Sequence, residues 1–212
     1  MKTLILTAIF LLSISSAFAG WENKPQLYWS QFYSYDTRRA DHQLYVNRIS
    51  AIFTYQGQQK QQLFKIMPFL EAGRNVRRDI WEREELGLEA GRDIFPWFYL
   101  GEAMQAVWLR EDYQRSDQQN YNWHKERKST ESETRLIFKR NIFSIGQLEL
   151  EGFLLGEYTY DFEIGAGVRN ETTLGIILPL NKNMETGLNW RHIDRIHDFD
   201  SDVIETSVAV VF

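Results

Sequence analysis

The chain has 212 residues, no cysteine, 15% aromatic residues and a formal net charge of −5. That acidic balance, with no basic patch interleaved with aromatics, argues against a general nucleic-acid binder, and the missing cysteines exclude a disulfide framework and thiolate metal sites. Abundant aromatics, a negative mean hydropathy and no long apolar run after residue 19 describe neither a helical membrane protein nor a compact oily core.

Residues 1–19 carry a basic start at Lys2, an apolar run from Leu4 through Leu12, and Ala17-Phe18-Ala19 before Gly20. This is the organisation of a cleavable signal peptide, which leaves 20–212 for the fold. The apolar stretch is shorter than the about 20 residues a spanning helix needs, which sets a membrane anchor aside. Loss of Lys2 takes the charge from −5 to about −6 in the mature chain.

About ten runs of alternating character follow, with no convincing helix. Gln26 to Tyr35 is ambiguous, because aromatics fall on both faces. Leu44 to Tyr55 sets Tyr45, Ile49, Ala51, Phe53 and Tyr55 against Arg48, Ser50 and Thr54. Phe64, Ile66, Leu70 and Ala72 then oppose Lys65 and Glu71, in a run that retains Pro68, a residue that normally demotes a strand. Leu86, Leu88 and Ala90 oppose Arg83, Glu85 and Glu89. Trp97 to Arg110 is mixed on both faces, and Glu102 and Arg110 are assigned inward. Thr134, Leu136 and Phe138 oppose Glu133, Arg135 and Lys139.

The C-terminal half is clearer. From Gln147 to Tyr160, Leu148, Leu150, Gly152, Leu154, Tyr158 and Tyr160 face away from Glu149, Glu151, Glu157 and Thr159. From Val168 to Leu178, Thr172, Leu174, Ile176 and Leu178 oppose Arg169, Glu171, Thr173 and Gly175. Met184, Leu188 and Trp190 oppose Glu185, Asn189 and Arg191. The last run sets Ile204, Thr206, Val208, Val210 and Phe212 against Glu205, Ser207 and Ala209. Short connections (Gln56 to Lys60, Arg92 to Phe95, Asn141 to Gly146, Pro179 to Asn183) alternate with a set that includes every long one, from Asp36 to His42 up to Glu111 to Thr130. Tyr55, Tyr99, Phe138 and Phe212 fall near one end of the apolar faces, and Tyr45, Tyr158, Tyr160 and Trp190 near the other.

The leader, the alternating strands and the closing strand ending on Phe212 resemble small bacterial outer-membrane β-barrel proteins. The resemblance implies an all-β fold: a closed antiparallel transmembrane barrel of about ten strands in an up-and-down meander. It further implies an integral outer-membrane location after signal cleavage, contact with outer-membrane lipid and lipopolysaccharide, and delivery by the assembly machinery through the C-terminal strand. A soluble barrel or sandwich competes, but would not sort its aromatics toward strand ends. An open sheet edge in lipid also leaves backbone groups unpaired, at several kcal/mol each. A monomer without cofactor, metal or nucleic-acid partner is expected.

Charge on the opposite faces points to the interior. Arg48, Lys65, Glu71, Arg83, Glu85, Glu89, Glu133, Arg135, Lys139, Glu149, Glu151, Glu157, Arg169, Glu171, Glu185, Arg191 and Glu205 are assigned to the lumen with the two residues named above. A salt-bridged, filled lumen follows, since about eight strands enclose only their own side chains and about sixteen or more leave a wide channel. The slight acid excess would make any narrow pore cation-preferring. Two alternatives stand beside a structural or ligand-binding barrel. The first is that pore. The second is a hydrolase of lipid A or peptide at the outer rim, where His192, Asp194, His197, Asp198 and Asp200 could furnish general bases or oxygen and imidazole metal ligands. Arg191-His192-Ile193 resembles the His motif of outer-membrane lipid A deacylases, whose serine nucleophile follows it; Asp194 stands at that position here. The longest connection carries Tyr113, Arg115, Trp123, Lys125, Arg127 and Lys128, cations and rings suited to recognising lipid phosphates or sugars.

Overall fold

The structure, a computed structural model, describes residues 25–38, 43–56, 62–77, 79–111, 125–145, 148–195 and 200–212; the expected signal peptide lies outside them. Ten strands run through these residues: β1 (Gln26–Asp36), β2 (Gln43–Gln56), β3 (Gln62–Asn75), β4 (Ile80–Phe95), β5 (Phe98–Glu111), β6 (Lys125–Ile145), β7 (Leu148–Asp161), β8 (Ala166–Asn181), β9 (Met184–Arg195) and β10 (Ser201–Val211). Each pairs antiparallel with its neighbours in sequence, and β1 pairs with β10 from Tyr28↔Val211 to Asp36↔Val203, closing the barrel. The fold is thus the all-β closed antiparallel barrel expected. Closure leaves no strand edge unpaired, which is the requirement hydrocarbon imposes.

Burial is inverted relative to a soluble domain. Among the described residues, six buried positions are apolar and seventeen are polar or charged, while Leu86, Leu88, Met104, Leu154, Leu174, Leu188 and Ile204 are exposed on the outer wall. The apolar exterior is a belt for lipid chains, and the charged faces of the strands meet inside. Aromatic rings edge the belt at the short-turn end, where Phe98 stacks on Phe138 at 4.6 Å and Trp97 on Phe95 at 5.1 Å. At the opposite end Tyr160 packs edge-on to Phe162 at 5.2 Å.

Local chemistry explains how the strands begin and end. All six register shifts in the ladders fall near strand ends, as at Asp93/Phe95 and Thr159/Tyr160, where a barrel rim bends its strands. Pro68 sits mid-strand in β3, opposite Leu88 of β4, while the β2–β3 ladder steps from Ser50↔Phe69 to Phe53↔Ile66 and leaves Pro68 without a partner on β2, which accommodates a residue with no N–H to donate. At the β7–β8 turn Asp161 Oδ1 accepts bonds from the Glu163 and Ile164 amides, and Gly165 takes φ 72°, a left-handed value that costs glycine little.

Three expectations are corrected here. β6 begins at Lys125, so Lys125, Arg127 and Lys128 belong to a strand and not to a loop; Tyr113, Arg115 and Trp123 lie outside the described residues. The β5–β6 ladder continues to Arg110↔Glu126 and Glu111↔Lys125. Tyr99 points inward to Glu89 and is no part of the outer ring of aromatics. Glu102 is exposed beside Met104 on the outer wall, because Gly101, Ala103, Gln105 and Val107 take the inward parity of β5. The side chain of Arg110 lies outside the described ones.

Candidate functional site: an ionic lumen

Inward faces of eight strands, all but β1 and β5, deliver charged groups to a shared set of ion pairs in the barrel. Arg135 on β6 is the hub: Nη1 donates to Glu89 of β4 at 2.7 Å, Nη2 to Glu133 at 2.5 Å and Nε to Glu157 of β7 at 2.7 Å. Arg48 lies 3.5 Å from Glu71 and 3.8 Å from Glu89, its guanidinium over the Phe69 ring at 4.0 Å. Arg169 links Glu133 at 3.5 Å to Glu171 at 2.6 Å. Arg191 carries the series from Glu171 at 3.4 Å to Glu205 at 3.0 Å.

The result is an unbroken series of ion pairs from Glu71 on β3 to Glu205 on β10. Three of its links, Arg48 to Glu89, Glu89 to Arg135 and Glu133 to Arg169, join strands that are not hydrogen-bonded neighbours. Such links must reach over the intervening strand and into the enclosed space. Arg83 forms a second cluster with Glu85 and with Glu131 at 2.9 Å. Glu131 is also held by Gln105 at 3.3 Å and Ser129 at 3.3 Å, and Ser129 donates to Asp161 at 3.0 Å. Neutral donors therefore complete what the arginines leave open. The Tyr99 hydroxyl donates to Glu89 at 2.7 Å, and Asn189 to Glu205 at 3.3 Å.

Burial within the lumen is graded. Glu89 is 1% exposed and Glu171 5%, whereas toward the short-turn end Glu149 is exposed and Glu151, Phe153 and Glu185 are half-buried. The ion-pair series thus occupies the half nearer the long connections, and the other half is a vestibule. Lys65 lies there, paired with Asp93 at 2.9 Å. Lys139 is exposed at the same end.

Space for these long side chains is made by glycine and small residues on the neighbouring inward positions. A Cβ on Gly101 would meet Glu89 Oε1 and the Tyr99 ring, each at 2.8 Å, and a Cβ on Gly87 would meet the Phe69 ring at 2.3 Å. Sequence reading gave these glycines no role and passed over Glu131. The signal for Glu131 was present, since it shares parity with Glu133 and Arg135, but the strand was started too late.

Of the outer-rim candidates, His192 and Asp194 are among the described residues and have no contact with each other there. His192 Nδ1 lies 2.9 Å from Asp202 Oδ1, and Asp202 is also paired with Arg38 at 2.5 Å. Asp194 is exposed and sits opposite Asn170, while His197 and Asp198 lie outside the described residues. Among the described residues no group of three His, Asp or Glu side chains is arranged to hold a metal ion. A wide, mostly apolar hollow is lined by Phe138, Leu154, Leu174, Leu188 and Trp190, with Lys139, Arg140 and Asn189 also at its wall, and none of the carboxylates or arginines of the ion-pair series lines it.

No protein-family model and no curated protein matches the chain. Among solved structures it is similar to a bacterial polysaccharide outer membrane secretin, with 13% identity over 91% of this chain and 67% of that one and a TM-score of 0.48. It is also similar to the β domain of the Bordetella autotransporter Brka (10% identity, 91% and 99% covered, TM-score 0.43) and to the KdgM porin (9%, 88% and 99%, 0.41). Strand pairing and burial establish directly a ten-strand transmembrane barrel with an ionic interior.

Proposed function

We propose that the protein is an integral outer-membrane barrel whose lumen is closed to solute flow by its own side chains, and that it serves as a structural or ligand-binding element of the envelope. The observation that carries this reading is the ion-pair series from Glu71 to Glu205, which bridges non-adjacent strands at a level where Glu89 is 1% exposed. The outer-membrane assignment rests on the closed antiparallel architecture with an apolar exterior, the type that spans that membrane. Lipopolysaccharide is the ligand class suited to the cationic sequence that opens β6, which carries Lys125, Arg127 and Lys128, cations of the kind that bind phosphate groups.

Planar-bilayer recording of the refolded protein tests closure: no steady current is expected, and ohmic conductance in the parent protein overturns it. One observation favours a second reading, a narrow gated pore. Among the described residues the two ion-pair clusters hold eight carboxylates (Glu71, Glu85, Glu89, Glu131, Glu133, Glu157, Glu171 and Glu205) against five guanidiniums, an excess that would make any current cation-selective. In that case the reversal potential under a salt gradient lies on the cation side.

A further inference from the structure

The wall formed by β5 and β6 departs from the rest of the belt. Glu102 is exposed there, four residues into β5 from the ring of Phe98 and Phe138, and the Thr134 hydroxyl donates to its Oε2 at 2.6 Å. Ser132 and Thr130 continue the same outward face of β6, across from Met104 and Ala106. On β7, next along, a Cβ added to Gly156 would meet nothing within 4 Å, so the surface is recessed as well as polar. Elsewhere the outer wall exposes Leu88, Leu154, Leu174 and Leu188.

Hydrocarbon offers a carboxyl group and a column of hydroxyls no hydrogen-bonding partner, and a protein surface does. We infer that the β5–β6 wall is an interface between two copies of this chain, contrary to the monomer expected from the sequence. The patch is complementary to itself. Its acceptor is on β5 and its donors are on β6, with Glu102 level with Thr134 in the ladder. A two-fold axis along the membrane normal between these strands preserves height and exchanges left for right, so each copy's Glu102 meets the hydroxyls of the other. Small side chains at Ala106 and the recess at Gly156 let the two walls approach closely, as packing between membrane-embedded elements requires.

The chain has no cysteine, so a single introduced thiol reports on contact without background. Ser132→Cys and Ala106→Cys are compared with Ile49→Cys, a belt position on β2 that is 55% exposed. Oxidation in outer-membrane vesicles is expected to give disulfide-linked dimers of Ser132→Cys or Ala106→Cys at least tenfold above Ile49→Cys. Adding Glu102→Leu, which improves the fit to lipid and removes the acceptor, is expected to lower that yield at least tenfold while the barrel still folds. Equal cross-linking at all three positions, an adduct with a different protein, or a one-chain mass for the parent in lipid nanodiscs overturns the inference.

Discussion

Replacing Arg135 by methionine strands three carboxylates at once, and the consequence can be worked from the geometry. The guanidinium lies 2.7, 2.5 and 2.7 Å from Glu89, Glu133 and Glu157, whose side chains are 1%, 8% and 9% exposed. With charge centres about 4 Å apart and an effective dielectric near 20, each attraction is about 4 kcal/mol. Loss of hydration offsets several kcal/mol per ion, so the intact cluster contributes little net stability; removing one partner leaves buried charge uncompensated, at about 3–5 kcal/mol. Arg135→Met is therefore expected to lower unfolding free energy by about 3–5 kcal/mol. The assay is urea titration in lipid vesicles followed by tryptophan fluorescence, with the slope unchanged. Lys65→Met breaks a half-exposed pair with Asp93 and is expected to cost no more than about 1 kcal/mol. Adding Glu89→Gln and Glu157→Gln to Arg135→Met should recover most of the loss, because neutral groups remain where charges were. If Arg135→Met unfolds no more easily than Lys65→Met, the guanidinium is hydrated in place and the reasoning fails.

Gly87→Ala drives a methyl into the Phe69 ring, which is 3% exposed and capped by Arg48, and should cost about 1–3 kcal/mol in the same titration. Combining it with Phe69→Leu should return part of that cost; a neutral Gly87→Ala would mean the ring has room to move. At the β7–β8 turn the Thr130 amide donates to Glu163 Oε2 at 2.6 Å, a bond that holds the Glu163 carboxyl below its ordinary range. A depressed carboxyl stabilises the fold above its unfolded pKa and loses that contribution as pH falls through the folded one. The Thr130 amide resonance should accordingly titrate below about pH 4.3, the ordinary glutamate value. A midpoint at or above that value would contradict the bond.

Strand alternation was readable wherever one face was apolar and the other charged, as in β7, where Leu154 and Glu157 leave no doubt about parity. It failed in β5, whose inward positions are Gly101, Ala103, Gln105 and Val107. At Gly101 a side chain would meet Glu89 and Tyr99, and Gln105 holds Glu131, so what these positions can carry depends on partners from other strands that local sequence does not show. The rule that charge points inward then took Glu102 for a lumen residue. β1 was ambiguous for a related reason: Tyr28 and Phe32 line the interior while Tyr33 and Tyr35 face out, so ring content does not separate the faces. The partners of each lumen charge were also out of reach, since a link such as Glu133 to Arg169 skips a strand and depends on closure.

That dependence bears on how the molecule reaches its native state. The ionic series draws its members from β2, β3, β4, β6, β7, β8, β9 and β10, so a sheet that has entered the bilayer before its first and last strands meet holds naked carboxylates and guanidiniums in a gap with few counterions. Half-inserted forms are penalised by the same groups that lock the finished one, which makes insertion and rounding-up a single cooperative event.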